Sequence, residues 1–68
     1  MERLAVHSSN IISVGYDSDT QTLEVEFNSG IYQYFDVPEH IYDELLNAGS
    51  LGSYLHNNIK DNFNYCQI

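Results

Sequence analysis

Residues 30–38 read GIYQYFDVP, and within this stretch the chain changes its period. Ile31, Tyr32, Gln33, Tyr34 and Phe35 have the β-branched and aromatic composition of a strand. Pro38 ends it, because proline has no N–H to give to a ladder. Residues before this stretch alternate like sheet, and residues beyond Pro38 repeat like helix.

Upstream, Thr22–Phe27 reads TLEVEF. Leu23, Val25 and Phe27 alternate with Glu24 and Glu26, the pattern of a strand with one buried and one wet face. Ahead of it, Ile12, Val14 and Tyr16 alternate with Ser13 and Gly15. The intervening DSDTQ is turn chemistry, since Asp and Ser side chains bond their own backbone.

Downstream, DVPEHIYDELLNAG predicts a helix. Asp36 is placed to cap it, with Glu39 completing a capping-box pattern and Pro38 in the first turn. Ile41, Leu45 and Ala48 form its apolar stripe, and Gly49 is expected to end it in the left-handed conformation. Ser50 is placed to cap a second helix, whose inner face would be Leu51, Leu55 and Ile59, with Lys60 at its C-terminal end. In the tail, Phe63, Tyr65 and Ile68 allow a short closing strand.

Strands followed by helices make an α+β domain. The expectation is a single domain over residues 1–68: a three-stranded antiparallel β-meander, then two short helices packed on one face, with room for the short C-terminal strand. The expected core is Ile12, Val14, Leu23, Val25, Phe27, Ile41, Leu45, Leu51, Leu55 and Ile59.

The direction of Tyr32 and Tyr34 depends on the turn before them. A two-residue Ser29–Gly30 loop pairs Phe27 with Tyr32 and puts both tyrosines on the apolar face. A three-residue Asn28–Gly30 loop pairs Phe27 with Ile31 and sets the tyrosines beside Glu24 and Glu26 on the outer face. One residue of slip reverses every side chain. Glycine at the third loop position suits a type I turn with a bulge, and Ile31 and Phe35 are better core residues than tyrosine, so the outward register is expected. Tyr32, Tyr34, Glu24 and Glu26 are then the candidate binding residues.

Composition narrows the function. Ten Asp and Glu stand against two Lys and Arg, Arg3 and Lys60, for a net charge of −8. Such a surface favours basic partners and repels nucleic acid and anionic membrane. A chain of 68 residues buries only about 60% of its unfolded surface, so it needs an efficient core or self-association. Cys66 is the only cysteine, which fits a reducing compartment, and no run of about 18 apolar residues or signal-peptide pattern stands in the sequence. A cytoplasmic location is expected.

The order SSNIISVGYD, TLEVEF, YQY and VPEHIYDELLNAGSLGSYLHNNI resembles the KTSC domain family, over roughly residues 3–65. Tyr32 and Tyr34 fit its Tyr-x-Tyr element, and Ala48, Ser50 and Gly52 fit its Ala-x-Ser-x-Gly element. The family occurs at the C-terminus of some lysyl-tRNA synthetases and as stand-alone bacterial and phage proteins. The resemblance implies an uncharacterised domain for which RNA binding has been suggested, and it brings no catalytic residues.

Three functions compete. An RNA binder could stack bases on Tyr32 and Tyr34, at about 1–3 kcal/mol each. Nucleic-acid affinity, however, rests on several phosphate contacts, and the chain has two permanent cations, with glutamates expected beside the platform. A protein-interaction or self-association module fits better: an aromatic centre ringed by charge. An enzyme is disfavoured. No Gly-x-Ser-x-Gly elbow is present, and so short a chain leaves little room for a pocket of about 300 Å3. Neither metal nor cofactor is expected. The Asp17–Asp19 segment fails the calcium-loop pattern at Thr22 and Asn28, and His40, Asp43 and Glu44 read as a solvated helix face. The ranking is protein interaction first, with a basic partner or a second copy, and RNA second.

Overall fold

Alternation makes Leu23 and Val25 the anchors of the sheet, and both are fully buried. The computed structural model describes residues 1–68 and places them in the middle strand of five. The strands are β1 (Leu4–Ala5), β2 (Ile11–Asp17), β3 (Thr22–Phe27), β4 (Gly30–Tyr34) and β5 (Tyr65–Gln67), ordered β1-β2-β3-β4-β5 with every neighbouring pair antiparallel. Helices α1 (Glu39–Leu46) and α2 (Leu51–Asn58) lie between β4 and β5 in sequence. The fold is α+β, as expected, but the sheet gains a strand at each edge: β5, which the tail allowed, and β1, which had no sequence signal.

The register of β3 and β4 differs from the expectation. Phe27 pairs with Gly30, Val25 with Tyr32 and Leu23 with Tyr34, so the turn is Asn28–Ser29. Gly30 opens the strand instead of closing the turn. It does so at φ 148°, a conformation open to glycine, and a Cβ there would stand 2.5 Å from Gln67 Nε2. Tyr32 and Tyr34 therefore share the core-facing side with Val25 and Leu23, and the expected outward register is corrected. Tyr34 is 4% exposed.

A second correction concerns β2. The register shifts between Ile11 and Ser13. This bulge moves Ile11 into the core, at 1% exposure, and turns Ile12 out to 44%. Val37 and Tyr34 join the core, while Phe27, Ile41 and Leu51 pack against it half-buried.

Burial of Val37 also explains why Asp36 does not cap α1. The Val37 N–H donates to the Gln21 carbonyl at 2.9 Å, and its own carbonyl accepts from Tyr16 Oη. To present Val37 this way, Asp36 takes φ 58°, and the helix starts at Glu39 behind Pro38 with no side-chain cap. Nor does Gly49 close α1 in the left-handed region: the helix ends at Asn47, whose side-chain amide donates to the Asp43 carbonyl at 2.8 Å. Ser50 caps α2 as expected, accepting from the Ser53 N–H at 3.3 Å.

Four tyrosines, Tyr16, Tyr34, Tyr42 and Tyr54, favour the neutral phenol in the folded protein. Tyr54 Oη donates to Glu44 Oε1 at 2.7 Å, and burial together with that carboxylate pushes its pKa up to about 12. Tyr16, Tyr34 and Tyr42 are raised too, in each case chiefly by burial. A raised acid pKa means the folded state prefers the neutral phenol. That stability is whole below the unfolded value of 10.0 and is lost as pH rises through the folded values. Alkaline unfolding is therefore expected to begin above about pH 10. Tyrosinate absorbance and circular dichroism followed together should change in the same transition.

Candidate functional site

The four sequence-predicted residues fall on opposite faces of the sheet. Glu24 and Glu26 lie on the face away from the helices, inside a polar network. Arg3 pairs with Glu24, Gln33 Nε2 donates to Glu24 Oε1 at 2.9 Å, and Ser13 Oγ donates to Glu26 Oε1 at 2.9 Å. Arg3 Nε also donates to Ser13 Oγ at 3.0 Å. The N-terminal segment crosses β2 where Gly15 leaves space; a Cβ there would meet the Glu2 carbonyl oxygen at 2.4 Å. Glu24 is only 6% exposed, so it is a structural carboxylate and not part of an open rim.

Its pKa is lowered, first by the hydrogen bond from Gln33, with burial opposing and Arg3 adding to the effect. The fold thus prefers the ionised form. Its contribution is present above the ordinary value of 4.5 and is lost as pH falls through the lowered value. Glu24→Gln is expected to flatten the acid limb of the urea midpoint below about pH 5. An unchanged slope would remove Glu24 from the acid-unfolding groups.

Tyr32 and Tyr34 face the other way, into a groove of about 550 Å3 between the β3–β4–β5 surface and α2. The space exceeds what so short a chain was expected to hold, because the helices leave this part of the sheet uncovered. Phe27 meets Tyr32 edge-on, with ring centroids 5.6 Å apart at 79°. Tyr65 of β5 completes the cluster at 6.0 Å from Tyr32 and 5.6 Å from Tyr34. The strand pairing explains the meeting: Tyr34 stands opposite Tyr65, and Tyr32 opposite Gln67.

Burial grades the cluster. Tyr34 is core, Tyr32 is half-buried, and Tyr65 is 57% exposed. His56, Lys60 and Asp61 line the helix side, all exposed, and Asn28 and Ser29 line the turn side. Arg3 is committed to the opposite face, whereas Lys60 makes no ion pair within 4.0 Å. The candidate site thus keeps Tyr32, with Tyr34 as its buried floor, and gains Phe27, Tyr65 and Lys60. Sequence reading missed Tyr65 because a three-residue strand has too little alternation to fix a face. It missed Lys60 because helix pattern assigns that residue to an end and not to a groove.

On α1, the residues weighed as a metal-binding face are not gathered into a site. Glu44 is engaged by Tyr54, not by His40 or Asp43. Nothing in the groove indicates catalysis. No helix is long and apolar enough to cross a membrane.

The family model of the KTSC domain matches residues 7–63. An uncharacterized protein of Stutzerimonas stutzeri is 43% identical over 70 residues, covering 100% of this chain and 99% of its own. A lysine–tRNA ligase of Trichormus variabilis is 52% identical over 54 residues, which are 78% of this chain but 10% of that protein. A ligase of Nostoc sp. is 47% identical over 66 residues, or 96% of this chain and 12% of its own. The crystal structure of a KTSC domain protein from Yersinia pestis superposes with a TM-score of 0.97 at 40% identity, covering 98% of this chain and 96% of that one.

Proposed function

The chain belongs to the KTSC family, and on that premise we propose that it is a non-catalytic interaction module whose aromatic groove receives an apolar or aromatic side chain from a basic protein partner. One observation carries this reading: an open, tyrosine-lined groove on a domain of net charge −8. Tyrosine and phenylalanine around a half-desolvated pocket are the composition of an interface centre, and the surrounding negative field speeds the approach of a basic partner.

The test is a titration of 15N-labelled protein with lysine- and arginine-rich peptides, with and without an aromatic residue. Shifts at Phe27, Tyr32, Lys60 and Tyr65 are expected with the aromatic peptide, weakening as salt rises. Tyr65→Ala should lower affinity about tenfold or more, as at an interface hot spot, with little change in stability because the ring is mostly exposed. Shifts confined to the β2–β3 outer face would count against the groove.

RNA is the second reading. Lys60 stands at the rim of a groove floored by tyrosine, a stacking platform beside a cation. Glu24 and Glu26, expected beside that platform, lie on the other face, which removes the local objection but leaves the net charge. Single-stranded RNA at about 50 mM salt should shift the same amides if this reading holds. A flat titration would dismiss it.

A further inference from the structure

We propose that β5 is a self-association edge, on which a second copy of the chain adds its own β5 antiparallel about a two-fold axis through Cys66. The Phe35 N–H donates to the Asn64 carbonyl at 2.9 Å, and the Ile68 N–H donates to the Ile31 carbonyl at 2.9 Å. Cys66 stands opposite Gln33 midway between these pairs. Residues 64, 66 and 68 therefore direct their peptide groups at β4. By the alternation of an antiparallel ladder, Tyr65 and Gln67 direct theirs to the open edge.

That edge is three residues long and has brevity as its one protection. Sheet edges are ordinarily protected by charge, proline, a bulge or brevity. The chain has twelve charged side chains, yet residues 62–68, NFNYCQI, include none of them and no proline. The opposite edge is guarded: β1 has two residues and comes directly after Glu2 and Arg3. Pairing through β5 is thus favoured over a head-to-tail join of β5 to β1. It also closes on itself, so it stops at a dimer.

One register satisfies both strands. Tyr65 opposite the partner's Gln67, and the reverse, makes two hydrogen-bonded pairs and about four new backbone bonds. Cys66 then faces its own copy in the non-hydrogen-bonded position, with Cα atoms about 4.5 Å apart, within the range of about 4.4–6.8 Å that a disulfide spans. The uncharged edge brings no like charges opposite each other, although the −8 on each copy opposes approach. Both Tyr65 rings stay on the groove side of the enlarged sheet. This inference stands apart from the groove reading, since a monomer could use the groove and a dimer need not.

Sedimentation velocity in reductant, across protein and salt concentration, tests it. A dimer that tightens as salt rises is expected, because screening relieves the mutual repulsion. Cys66→Ser should keep the dimer. Cys66→Asp, exposed in the monomer, places two carboxylates face to face and should weaken the dimer at least severalfold. Without reductant, diamide should take two electrons and two protons from the paired thiols and trap the dimer covalently. A monomer at all concentrations and salts overturns the proposal, whether solvent or another protein covers the edge. So does a dimer that Cys66→Asp leaves intact or that diamide fails to trap.

Discussion

Tyr34→Ala is expected to remove a large part of the protein's stability. The ring is 4% exposed and packs with Leu23 and Val25 in the core. Truncating a buried aromatic costs about 3–5 kcal/mol, through lost transfer energy and the cavity left behind. At about 0.05–0.15 kcal/mol per residue, a domain of 68 residues holds roughly 3–10 kcal/mol in total. The variant therefore loses a large part of its margin, and at the lower end all of it. Urea titration should show a large drop in midpoint, and Tyr34→Phe, which keeps the ring, should stay near wild type. A Tyr34→Ala protein within about 0.5 kcal/mol of wild type would mean a surface tyrosine, and would reinstate the outward register.

The second large effect is expected at Leu45→Ala. Leu45 is the one fully buried side chain of α1, with Ile41, Tyr42 and Leu46 only half-buried around it. Alanine there should cost about 2–5 kcal/mol. The loss acts on a helix that has no side-chain cap at its start, so α1 has little local stability to fall back on. Hydrogen exchange should show α1 amides opening well before those of β3. Leu45→Met, which nearly conserves volume, should cost less than about 1.5 kcal/mol. Equal protection of α1 and β3 in the alanine variant would mean that Leu45 is not what docks the helix.

Much of this architecture is legible in the sequence because its signals are local. TLEVEF has the alternation of a half-buried strand, and the break at Pro38 separates sheet from helix. Ser50 reads as a helix start and is one. The family resemblance is legible as well, since it rests on the order and spacing of short elements. Nonlocal features were not legible. β1 is two residues long and is held where Arg3 and Glu24 meet across the sheet. The bulge that exchanges Ile11 for Ile12 depends on how β2 lies against Phe27 and Glu26.

The groove shows the division most plainly. From sequence alone came an aromatic pair, an acidic chain with two permanent cations and a small α+β domain. Only the tertiary structure decided that the pair faces inward and that Tyr65 and Lys60 join it. It also decided that Glu24 and Glu26 lie on the other side. The physical reason is the two-residue period of a strand. Composition marks Tyr32 and Tyr34 as sheet residues, but a single residue of register chooses their face. That choice came from the turn at Asn28–Ser29, from Gly30 at φ 148°, and from the core space that Leu23, Val25 and Leu55 leave for one tyrosine ring.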